Sequence, residues 1–324
     1  MAEALRRIFA YFWGSADPRT YALVRIGLSV AGLVNLVDLW PRRFAYLAST
    51  GIVSVRAIRD ATGGGYYGSV FYWIGSETGV TLVLLVAAVA LIALGLGVWT
   101  RAAVALVFVW HLSYSHRAFP VLHSWDAILR IYSFLVLISP TGRIWSIDHL
   151  RHPRASDGED VPIYGLRLMQ WQLIVLYVAT VWLKVPDAFW RNGQMLAYFS
   201  LSVYSRNPDN LLLVHNEWLS AVETYLSLII EISVPFLLAL PRTRIVGLLA
   251  GIGLHFTIAA SAKLAVFSLC MVPPYLAFLD RHDIDWFIAL CRARSLGELR
   301  ALIGSRGCPD SGDSPDNTVR GRCT

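Results

Sequence analysis

The chain has 324 residues, of which 56% are hydrophobic and only 15% charged, with a formal net charge of +6 and a mean hydropathy of +0.53. Soluble globular domains carry about a quarter of their residues as charged side chains, so an ordinary water-soluble protein is excluded and a lipid bilayer is the expected partner. The basic balance is read as headgroup contact and topology signal; no nucleic-acid motif accompanies it, and no nucleic-acid partner is expected.

The first element, MAEALRRIFAYFWG (1–14), puts two arginines beside an apolar patch and is not followed by a small-residue cleavage site. An uncleaved amphipathic helix on the membrane surface is expected over 1–20. Apolar runs approaching the roughly 20 residues needed to cross a bilayer follow at 21–40, 79–99, 102–119, 125–141, 165–184, 218–240, 245–262 and 264–280. The expected fold is all-α: a polytopic membrane protein with about eight transmembrane helices around a polar cavity, over 21–281. Pro273 and Pro274 interrupt the eighth run, and GGGYYG (63–68) lies in the long connection before the second. Residues 282–304 alternate apolar and basic faces at helical period, as an interfacial helix does. The Ser-, Asp- and Pro-rich end, 305–324, is expected to be disordered.

Basic residues favour the side carrying the N-terminus, including Arg6, Arg7, Arg101 and Arg143. With eight spans both termini are therefore expected in the cytoplasm, and the plasma membrane is the expected location. That orientation gathers Asp38, His116, His123, Asp126, Lys184 and His255 toward the outer leaflet. The four cysteines, Cys270, Cys291, Cys308 and Cys323, show no CxxC spacing and are expected as free thiols. His111, His116 and His123 lack metal-ligand spacing, and no HExxH is present, so no metal site is expected.

Ionisable side chains inside spans are costly and count as functional hypotheses. Arg25, Asp38 and Arg130 suit packing by pairing across helices; Glu231 is either protonated or meets a partner such as Arg130. His123 with Asp126 suits proton handling or, equally, a capping role. Lys184 stands apart, because the only lysines are Lys184 and Lys263 and all other basic residues are arginine. Arginine keeps its proton, whereas a desolvated lysine can act as a base. A lysine at a span end also permits simple snorkelling. The expected cavity lining is His116, His123, Asp126, Lys184 and His255, with Asp187 and Trp190 beside the lysine.

Four segments in order, VRIGLSVAGLVNLVDLW (24–40), HSWDAILRIYSFLVLISPTGRIWSIDHL (123–150), LYVATVWLKVPDAFWRNG (176–193) and GLHFTIAASAKLAVFSLCMV (253–272), resemble the HTTM (horizontally transferred transmembrane) family. That family is related to the membrane domain of vitamin K-dependent gamma-carboxylase. The resemblance implies a reduced, vitamin K-like quinone as cofactor and Lys184 as the base that activates it, with His123 and His255 assisting. Leu183 stands where the carboxylase has a second, adjacent lysine. The implied substrate is a secreted peptide or lipid. Other bacterial relatives imply the alternative, a non-catalytic maturation or chaperone partner for such a molecule.

Overall fold

The structure, a computed structural model, describes residues 2–52, 54–61, 68–153 and 159–293. It is helical apart from one short antiparallel pair, Ser15–Ala16 with Val161–Pro162, and an isolated bridge from Ser205 to Ala262. Two compact units divide it, Met1–Phe278 and Leu279–Thr324.

In the first unit α1 (Ala2–Trp13) leads into α2 (Pro18–Leu39). Asp17 caps α2 by accepting from the Arg19 N–H at 2.8 Å, and Pro18 at the first helical position loses no hydrogen bond, since that N–H has no helical partner. There follow α3 (Glu77–Leu96), α4 (Thr100–Arg117), α5 (Ser124–Ile138), α6 (Tyr164–Lys184), α7 (Glu217–Ala239), α8 (Arg244–Ser261), α9 (Ala265–Cys270) and α10 (Val272–Leu276). Among the described residues five helices, beginning at Pro18, Glu77, Tyr164, Glu217 and Arg244, are long and apolar enough to cross a membrane. The other three expected runs form the more polar α4, the shorter α5 and the broken pair α9–α10, where Pro273 and Pro274 deny the helix two amide donors.

α2 is the central element, packed on α3, α5, α9 and α10. Small residues permit this: Ser29 donates to the Leu91 carbonyl at 2.6 Å, and a side chain at Gly32 would stand 2.6 Å from Leu91. Such close approach replaces the hydrophobic drive that lipid cannot supply. Conversely, Val89, Trp182, Leu249 and Phe256 are each at least 66% exposed. In water those faces would aggregate; in a bilayer they are solvated, so the chain is an integral membrane protein.

Buried arginines brace the ends of the bundle. Arg25 donates to the Trp145 carbonyl at 2.5 Å, and Arg117 to the carbonyls of Leu47 at 3.1 Å and Ala48 at 2.5 Å. Both are fully buried, and the fork of the guanidinium suits this carbonyl-clamping role better than an ammonium would. Asp38 pairs with Arg42 one turn along at 3.0 Å, not across helices as the sequence suggested. The described part of the second unit is α11 (Arg281–Arg292), whose start is closed by Asp280 accepting from the Asp283 N–H at 2.9 Å. The 63–67 part of GGGYYG, the end of the expected interfacial helix, Cys308, Cys323 and the 305–324 tail lie outside the described residues.

Candidate functional site

α6 ends where Pro186 withdraws an amide donor and Asp187 begins a new turn by accepting from Phe189 N at 2.9 Å and Trp190 N at 3.2 Å. This turn folds Trp190 back over the end of α6, leaving the Lys184 ammonium 4.3 Å from the indole centroid. Gly193, at φ +71°, reverses the chain where a side chain would strike Ala221 at 2.7 Å. Its carbonyl accepts from Ser220 at 2.9 Å and Thr224 at 3.3 Å, and Tyr225 donates to the Arg191 carbonyl at 2.7 Å. The lysine-bearing turn is thereby fastened along α7.

That fastening brings Lys184 Nζ to 2.6 Å from both carboxylate oxygens of Glu231. The side chains are 19% and 12% exposed, so the pair is largely withdrawn from solvent. Glu231, left open in the sequence between a protonated carboxyl and a partner such as Arg130, meets Lys184. Pro235 lies four residues beyond it inside α7 and lacks the N–H that would engage the Glu231 carbonyl. The backbone at the glutamate is therefore released from one helical bond.

Two turns before Lys184, on the same face of α6, the Tyr177 hydroxyl is hydrogen-bonded to the Tyr275 hydroxyl of α10. It also stands 3.4 Å from His255 Nε2 of α8. The His255 ring is buried against Phe267, at 5.2 Å between centroids, and its Nδ1 has no hydrogen-bond partner among the described residues.

The other expected residues are placed separately. His123 opens α5: its N–H donates to Asp126 at 2.8 Å and its ring stacks on Trp125 at 4.0 Å. Asp126 is also met by Asn35 Nδ2 at 3.4 Å, while Trp125 donates to Asn35 Oδ1 at 2.9 Å. The bond from the His123 N–H to Asp126 closes the start of α5 as a helix cap. His116 Nδ1 lies 2.9 Å from the Gly68 carbonyl. Thus Lys184, Asp187 and Trp190 gather at the end of α6, His255 meets α6 two turns away at Tyr177, and His116, His123 and Asp126 contact a different set of partners, so the expected lining is not one cluster.

The HTTM domain family model matches residues 17–286. The chain belongs to the HTTM family. No curated protein and no solved structure matches it. An HTTM domain is a membrane domain of the gamma-carboxylase type, which accords with five apolar helices in one chain.

Within this HTTM domain the sequence did not single out Tyr177 or Tyr275 and left the partner of Glu231 open. A signal existed for two of them. Tyr177 is seven residues before Lys184, and Glu231 is a carboxylate within an apolar span four residues before a proline. Tyr275 carried none, because its place depends on how α10 folds back on α6. Asp280, His282 and Asp283 bring ligand atoms within 4.8 Å of one another, but Asp280 and Asp283 are the capping box of α11, and this arrangement accounts for them.

Proposed function

We propose that this HTTM protein is a reduced-quinone-dependent enzyme of the plasma membrane, with both termini cytoplasmic, that modifies a secreted peptide or lipid and uses Lys184 as base. The observation that carries the reading is the buried Lys184–Glu231 pair beneath Trp190. A lysine serves as a base only while unprotonated, and Glu231, with both oxygens at 2.6 Å, is the group placed to hold the proton that Lys184 gives up. Arginine would pair with Glu231 equally well yet could not release its proton.

A reduced quinone would meet three groups of the chain. Trp190 supplies an aromatic wall, Lys184 a proton acceptor at Nζ, and His255 a buried ring nitrogen, Nδ1, with no partner among the described residues. When bound, such a quinone supplies a phenolic proton and the electrons that oxygen accepts. The chain's own part would be to receive that proton at Nζ, restoring an ammonium beside Glu231, which keeps the proton it took from Lys184, and to orient hydroxyl and imidazole groups through the Tyr275–Tyr177–His255 contacts. Trp190, held by the Asp187 cap, shields the ammonium from water.

One observation favours the alternative, a non-catalytic maturation or chaperone partner. Lys184 is fully engaged by Glu231 and Trp190, as a lysine that only fastens a docking loop would be. The deciding experiment is consumption of reduced menaquinone or ubiquinone, with oxygen, by protein in lipid nanodiscs, comparing wild type with Lys184→Arg and Glu231→Gln. Enzymatic use of Lys184 requires consumption that falls by about 100-fold or more in Lys184→Arg, the range of general-base contributions. Equal consumption by wild type and Lys184→Arg would exclude Lys184 as the base.

A further inference from the structure

At the opposite end of the bundle from Lys184 lies a cavity of about 630 Å³, within the range of small-ligand sites. Three separate stretches of chain build it. α4 contributes Arg101, the turn after α5 contributes Arg143, and the short helix Ile147–Arg151 with the residue after it contributes His149 and His152. Asp148 is the one acidic residue lining it among the described residues, and its carboxylate is engaged at the start of α4. It accepts from Trp99 N at 2.8 Å, Thr100 N at 2.8 Å and Thr100 Oγ1 at 2.9 Å. Against this one carboxylate stand Arg143 and Arg101, which also donates to the Leu137 carbonyl at 2.5 Å, so the arginines outnumber the acid in the lining.

Its rim has the character of a headgroup layer. Trp99 lines the cavity, is 77% exposed and is held at φ 45°, an indole placed where tryptophans anchor proteins at the membrane interface. Apolar side chains exposed on the helices run up to this end, among them Leu96, Leu106 and Phe134. An anion seated between Arg101 and Arg143 would thus have acyl-chain surface directly beside it.

We infer that this cavity binds a phosphate ester, with Arg101 and Arg143 as the paired cationic contacts, and that the ester is the headgroup of an anionic membrane lipid. The site is separate from the Lys184 region and does not depend on the quinone reading. Each arginine near a membrane surface contributes about fivefold to the affinity for anionic lipid.

The test is lipid retention by purified full-length protein, reconstituted in mixed phosphatidylcholine and phosphatidylglycerol, extracted in mild detergent and measured by native mass spectrometry. Wild type retains phosphatidylglycerol in excess of its share of the mixture; R101Q/R143Q loses that excess by roughly an order of magnitude, whereas R101K/R143K, equal in charge, keeps most of it. Arg143→Gln alone, with an intermediate loss, keeps the test informative if the double variant does not fold. A second arm adds inorganic phosphate or glycerol phosphate to lipid-stripped protein and follows thermal unfolding. Stabilisation there without phosphatidylglycerol enrichment would assign the site to a soluble phosphate compound and overturn the lipid assignment. Equal retention of both lipids by wild type, or equal enrichment in R101Q/R143Q, overturns the site itself.

Discussion

Removing one partner of the Lys184–Glu231 pair leaves a charge in a place built for two. At a separation of 2.6 Å and an effective dielectric near 20, the gross attraction is about 6 kcal/mol. Desolvation offsets part of this, and truncating one member of a buried pair costs about 3–5 kcal/mol overall, while replacing both with apolar residues is close to neutral. Glu231→Leu and Lys184→Met are therefore each expected to destabilise by about 3 kcal/mol, with the double variant near wild type. A double-mutant cycle by thermal unfolding in lipid nanodiscs measures this, at about 2 °C per kcal/mol for a chain of this size. The Lys184→Arg variant belongs in the same experiment, since it keeps the pair and is expected within about 1 kcal/mol of wild type. A coupling below about 0.5 kcal/mol, the limit within which independent sites add, would refute a mutually dependent pair and with it the placement of Glu231 as the proton partner.

Three further outcomes follow from the geometry. Burial raises the proton affinity of Asp148, but donation from Thr100 and Trp99 outweighs it and holds the carboxyl below its ordinary range; its stabilisation is present above the unfolded value, about 3.9, and is lost as pH falls through the folded one. The melting temperature of wild type should thus fall in acid below about pH 4 more steeply than that of Asp148→Asn, which keeps one acceptor oxygen and should cost about 1 kcal/mol at neutral pH for the bonds its amide nitrogen cannot accept. Gly97→Ala should destabilise by more than the 1–2 kcal/mol or so of a left-handed residue, because at φ +67° its new carbon would stand 2.3 Å from both Ser146 and Arg25; unfolding midpoints unchanged from wild type would contradict this. Arg117→Met should cost roughly 3 kcal/mol, since it strips the Leu47 and Ala48 carbonyls of their donor, and faster proteolysis near residues 43–48 would report it.

Composition and the length of the apolar runs determined by themselves that this is an all-α membrane protein, because the bilayer admits few other ways to satisfy a backbone. The ordered segments carrying Trp145, Lys184 and His255 were enough to indicate the family, and the rarity of lysine was enough to single out Lys184. Partners were another matter. Glu231 sits in a helix separated from Lys184 by the whole 185–216 connection, and only the clamping of that connection onto Ser220, Thr224 and Tyr225 decides which cation the carboxylate meets. Tyr275 reaches Tyr177 because two prolines break the last apolar run, an effect whose direction no local pattern specifies. Likewise His123 and Asp126 share a sequence neighbourhood that suits either proton handling or capping; the cap bond between them is local, whereas the contact of Asp126 with Asn35 comes from the packing of α2 on α5. Hydrophobic patterning reports what each helix does with lipid, whereas the pairing of polar groups within the bundle is set by helix rotation and loop geometry, which the packed structure alone determines.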